Sequence, residues 1–156
     1  MRMVAARYGM CALAAIASAT AACGGGAGGG APEVPSAAEP ATFAEQTTVG
    51  QKLFGENCAS CHGDSGEGGG GKTPRVVGLD KGALPLDPPA GAKRTVKFKT
   101  AADVGDYAAK NMPPGQGGSL KAWEYWAIIA FDLKANGVTS EKKIDASSAK
   151  DIVLHK

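Results

Sequence analysis

Cys58-Ala59-Ser60-Cys61-His62 is the stretch on which the reading of this chain turns. Two thiols stand two residues apart, and an imidazole follows at once. The chain holds four cysteines, but Cys11 falls in an N-terminal apolar run and Cys23 just beyond it. Cys58 and Cys61 are therefore the pair left to the main body. A thioredoxin-like redox pair expects a βαβ context, and strongly β-patterned sequence is missing around this one. A structural zinc site needs four ligands at matched spacing. Besides His62 the only histidine is His155, next to the last residue, so a zinc set cannot be completed.

The remaining chemistry is covalent attachment of haem, for which Cys-x-x-Cys-His is the signature. The Cys58 and Cys61 thiols add across the haem vinyl groups as thioethers, and His62 binds the iron. A second strong axial ligand makes such an iron an electron carrier, and Met/His ligation raises its reduction potential. Of four methionines, Met1, Met3 and Met10 lie in the N-terminal run, which leaves Met112. It sits in Asn111-Met112-Pro113-Pro114-Gly115, after a predicted helix and on a loop stiffened by two prolines. Most methionines fill cores, but a Pro-Pro-Gly turn is a poor place for a core filler. His155 is the alternative sixth ligand.

Residues 1–22 have the layout of a secretory signal, with Arg2 and Arg7 ahead of the apolar run Met10 to Ala22. That run is too short to span a bilayer, which takes about 20 apolar residues. Thr20-Ala21-Ala22-Cys23 resembles a bacterial lipobox, although a bulky aliphatic residue is usual where Thr20 stands. The resemblance implies lipidation at Cys23; ordinary cleavage nearby, leaving a soluble periplasmic protein, is the alternative. Residues 23–41 are Gly-, Pro- and Ala-rich and read as a flexible tether. Removing Arg2 and Arg7 from the 17 basic residues leaves 15, against 15 acidic ones. The processed chain is neutral, so a nucleic-acid partner is not expected.

Residues 42–138 resemble a class I, single-haem cytochrome c. The resemblance rests on Gly50-x-x-x-Phe54, on Cys58-Ala59-Ser60-Cys61-His62, on the Met112-Pro113 loop and on the aromatic helix that follows. It implies an all-α fold in which three main helices and long loops wrap one covalently bound haem c. It also implies that Pro74 offers its carbonyl to the outer nitrogen of His62, with Val77 and Leu79 lining the same side. In such a fold the last helix crosses the first near Gly50 and Phe54, where a glycine lets two backbones approach.

The helices can be placed from local signals. Thr42 with Glu45 forms a capping box for a helix running to about Asn57, with Val49, Leu53 and Phe54 on one face. A second helix follows Thr100, with Asp103 in its first turn, and ends before Pro113. A third follows Ser119 and closes at Asn136-Gly137. Glu124 and Asp132 bracket an apolar run of seven within it, far short of a membrane span. From His62 to Thr100 the sequence is Gly/Pro-rich and irregular, and a haem disc can serve as the core for so long a loop. Gly68 to Gly71 has neither the flanking strand and helix nor the Gly-Lys-Ser/Thr of a phosphate loop.

The expected function is extracytoplasmic electron transfer between redox protein partners, on the periplasmic side of a bacterial membrane and held there by a lipid anchor. No acid, base or nucleophile is required. Lys52, Lys72 and Lys110 are candidate docking residues. Two alternatives stand beside the carrier. One is the cytochrome subunit of a larger periplasmic dehydrogenase or oxidase, with the extension 139–156 as a docking strap. The other is a haem-based sensor or small peroxidase with an open sixth position.

Overall fold

The structure, a computed structural model, describes residues 38–69, 73–79, 83, 87–88, 90–91 and 93–154. The expected signal 1–22, Cys23, most of the tether, Lys72 and His155 lie outside the described residues. The described part is helical: α1 (Phe43–Asn57), α2 (Ala59–His62), α3 (Ala101–Asn111) and α4 (Ala122–Ala135), then a 3-10 turn at Ser148–Asp151. None of these helices is long and apolar enough to cross a membrane.

The expected capping box of α1 is present, and α3 carries a second one. Thr42 Oγ1 accepts from the Glu45 N–H while Glu45 Oε2 accepts from the Thr42 N–H. Asp103 and Thr100 repeat the exchange at α3. The start of α4 differs from expectation. Ser119 N–H is taken by Gln116 O in the preceding turn, and the helix begins after Lys121, whose N–H donates to Glu124 Oε2 (2.7 Å).

Helices α1 and α4 cross at Gly50. A Cβ there would lie 1.9 Å from the Ala127 carbonyl oxygen, so only glycine admits this approach. Phe54 is buried at the crossing, its ring 5.2 Å from that of Phe131. The buried stripe of α1 is Phe43, Gln46, Thr47, Gly50 and Phe54. Val49 and Leu53, expected beside Phe54, are only half buried. Gly105 plays a similar part on α3, where a Cβ would fall 2.4 Å from the Trp126 ring.

The described part of the extension 139–156 packs into the core of the helices. Ile144, Ala149 and Leu154 join Phe43, Phe98, Ala101, Ile129 and Leu133 in one buried cluster. Ala101 N–H donates to Ile152 O (2.9 Å) and Leu154 N–H to Lys99 O (3.0 Å). Buried Gln46 holds the segment at both backbone groups: Nε2 donates to Ile144 O (2.8 Å) and Oε1 accepts from Ile144 N–H (2.7 Å). The foot of the tether is tied in as well, through Glu39 and Lys143 (2.6 Å). Gln46→Ala leaves two buried backbone groups without partners, each costing about 1–3 kcal/mol. Its unfolding free energy in guanidinium is expected to fall by about 2–6 kcal/mol; a loss too small to measure would show that Gln46 does not hold the segment.

Candidate haem site

The five motif residues occupy one turn. Cys58 closes α1, its N–H donating to Phe54 O. Its own carbonyl accepts from Cys61 N–H (3.1 Å) and His62 N–H (2.9 Å), which winds the chain into α2. This short helix was not foreseen. It sets both thiols and the imidazole on a single turn, with Cys58 half buried and Cys61 exposed. Neither is tied up in a disulfide. Burial, then the charges of Asp132 and Cys61, pushes the Cys58 thiol up to about 11.

The loop after the motif folds tightly beneath it. Gly68 N–H donates to His62 O (2.6 Å), and Val76 and Val77 N–H both donate to Gly66 O (2.9 and 3.0 Å). A Cβ on Gly69 would meet Cys61 O at 2.4 Å. The path brings the Pro74 carbonyl oxygen to 2.7 Å from His62 Nδ1. A carbonyl can only accept, so Nδ1 carries the proton and Nε2 keeps its lone pair for a metal.

Val77 packs its side chain over Gly66. Leu79, with Val76, lies against the buried cluster. Asn136 fixes this segment: Oδ1 accepts from Gly78 N–H (2.7 Å) and Leu79 N–H (3.1 Å), while Nδ2 donates to Val76 O (2.9 Å). Sequence reasoning saw Asn136 only as a helix stop.

Met112 is the extended C-cap of α3, with its N–H on Ala108 O. Tyr125 secures the loop it opens. The Tyr125 hydroxyl donates to Met112 O (2.8 Å) and accepts from Gly118 N–H (3.1 Å). Gly117 lies so close to α3 that a Cβ there would be 2.1 Å from Lys110 O. Met112 is half buried, as is His62. Elsewhere, Arg94 lies 3.9 Å over the Phe98 ring, with Nη1 on Val96 O and Nη2 on Asp87 O.

This donor set fits haem c. Two unpaired thiols two residues apart suit thioether formation, the imidazole offers one oriented nitrogen, and a thioether sulfur stands on a loop pinned by hydrogen bonds. Among the described residues no three His, Cys, Asp or Glu side chains converge as a separate metal cluster. The family model for cytochrome c oxidase, cbb3-type, subunit III matches residues 45–131, more than half of the chain. The chain belongs to this family of c-type cytochromes. Its fold is all-α and its cofactor is covalently bound haem c.

Among known proteins, the cytochrome is similar to a thiosulfate dehydrogenase of Stutzerimonas stutzeri (strain A1501), 35% identical over 104 residues. A thiosulfate dehydrogenase of Psychrobacter arcticus is 37% identical over 106 residues. These alignments cover 64% and 61% of this chain, but only 29% of either relative. The crystal structure of the sulfane dehydrogenase SoxCD from Paracoccus pantotrophus aligns with a TM-score of 0.51 at 31% identity. That match covers 69% of this chain and 52% of the other.

Proposed function

We propose that the cytochrome passes single electrons between protein partners outside the cytoplasm, with Cys58 and Cys61 as haem thioethers and His62 and Met112 as axial ligands. When bound, the haem supplies one-electron exchange between the ferric and ferrous states of its iron. The observation that carries the assignment is the His62–Pro74 contact (2.7 Å). A carbonyl partner fixes the ring, selects the nitrogen and strengthens it as a ligand. Tyr125 acts in the same sense on the other ligand, restraining the backbone of Met112. Val77 and Leu79 close the side of the pocket next to Pro74.

Tyr125→Phe tests the restraint. Each lost hydrogen bond is worth about 1 kcal/mol. The affinity of the ferric cytochrome for added imidazole is therefore expected to rise about tenfold, the equivalent of 1.4 kcal/mol. Unchanged imidazole binding would mean that the hydroxyl does not hold the sixth ligand.

Similarity to thiosulfate and sulfane dehydrogenases favours one role within this reading: the cytochrome accepts electrons from an enzyme that oxidises reduced sulfur compounds. Purification from intact membranes tests it. A stoichiometric catalytic subunit should accompany the cytochrome, whereas a freely diffusing carrier brings none. Export through residues 1–22 and lipid attachment at Cys23 complete the proposal, on the sequence evidence. Mass spectrometry of the mature N-terminus should find a lipidated Cys23; an unmodified Cys23 or a free Gly24 sinks the anchor.

A further inference from the structure

Asp132 is the one buried side-chain polar atom set without a partner among the described residues: its Oδ1 makes no hydrogen bond. The residue is 6% exposed and lines a small cavity otherwise walled by Ala101, Val104, Ile129, Leu133 and Leu154, all apolar. An ionised carboxylate in such a place is costly unless paired. Burial accordingly pushes its carboxyl well above the ordinary carboxylate range. Its charge is nevertheless felt by the thiol of Cys58, at the head of the haem motif.

Among the described residues no ion pair reaches it, and Arg94 lies over the Phe98 ring with its Nη atoms on Val96 O and Asp87 O. From α1 the titratable group it acts on is Cys58, a thioether once haem is attached, while Glu45, Lys52 and Glu56 are exposed. From α3, Ala101 and Val104 face the cavity; Asp103 is engaged by the N–H groups of Lys99 and Thr100, and Asp106 and Lys110 are exposed. The C-terminal segment presents Leu154, with Asp151 exposed. On α4 itself Glu124 caps the helix and Lys134 is exposed.

We propose that Asp132 is a proton-binding group coupled to the haem, taking up one proton when the cytochrome gains one electron. The inference rests on the haem reading given above. The balance is simple: the donor protein supplies the electron, solvent water supplies the proton, and oxidation returns both. Reduction removes one unit of positive charge from the haem, which strengthens the hold of the nearby carboxylate on its proton. The ferrous form thus binds more protons than the ferric form, and the reduction potential falls as pH rises.

The test is potentiometric titration of the holoprotein across the range where a buried carboxyl titrates, about pH 5 to 9. A proton affinity at least tenfold higher in the ferrous state appears as a total fall of about 59 mV or more. Asp132→Asn should abolish that fall. If Asp132→Asn does not accumulate, Asp132→Leu, an apolar side chain in an apolar wall, serves the same comparison, and Asp132→Glu should restore the dependence. A wild-type potential that does not move with pH overturns the proposal, as does an equal fall in the variants, which assigns the proton to another group such as a haem carboxylate. Each sample's ferrous spectrum separates the two readings. A normal c-type spectrum with a flat potential overturns only the proton coupling, whereas absence of covalent haem overturns both.

Discussion

Gly50→Ala is expected to destabilise the cytochrome by at least about 3 kcal/mol, at the upper end of what overpacking a core costs. The added Cβ would stand 1.9 Å from Ala127 O and 2.4 Å from Ala127 C. Both are backbone atoms in the middle of α4, so neither can swing aside as a side-chain tip would. Relief requires α1 and α4 to separate, which strips contact from Phe54 and Phe131 on the same crossing. For a domain of this size each kcal/mol moves the melting temperature by about 4–8 °C. A fall of more than about 10 °C in a thermal melt is the expected reading. Gly55 is the control: it is exposed on the same helix, and a Cβ there meets nothing within 4 Å. Gly55→Ala should be neutral or slightly stabilising, since alanine is the better helix former. Equal melting of both variants would mean that the close crossing is not what holds α1 on α4.

Met112→Ala should have the largest effect on the redox chemistry while sparing the fold. Its side chain leaves a half-buried loop position, and the bonds that shape the loop come from backbone groups of residues 112–118 and from the Tyr125 hydroxyl. Losing a thioether that favours the ferrous state lowers the reduction potential, by a shift on the order of 0.1 V within the roughly 0.8 V that axial ligands span. The opened position should bind carbon monoxide in the ferrous state, which the wild type should not. An unchanged potential would assign the sixth position to another residue.

The helical frame was legible because its signals are local. Thr42 with Glu45 and Thr100 with Asp103 each act across three residues, and Pro113 stops α3 by its own chemistry. The haem motif was legible for a similar reason: few residues in the chain can do what Cys58, Cys61 and His62 do. What escaped notice acts over distance. Gln46 was an unremarked polar residue in α1, yet its amide holds Ile144, 98 positions away. Asn136 looked like a helix stop, and it also organises residues 76–79. Neither role leaves a periodic trace.

The packing of the C-terminal segment left no trace in the sequence for a related reason. Ile144, Ala149 and Leu154 bury themselves from a chain that is mostly irregular, so their spacing matches neither helix nor strand. In the sequence Asp132 reads as the polar end of an apolar run. Only packing reveals that α4 is covered there by α3 and the C-terminal segment, which leaves the carboxylate inside.

The optical spectrum of the purified ferric holoprotein tests the central assignment most directly. Methionine ligation opposite His62 predicts a weak near-infrared band from sulfur-to-iron charge transfer, lost in Met112→Ala. A ferric spectrum without that band, or one that keeps it after the substitution, contradicts the His62/Met112 pair.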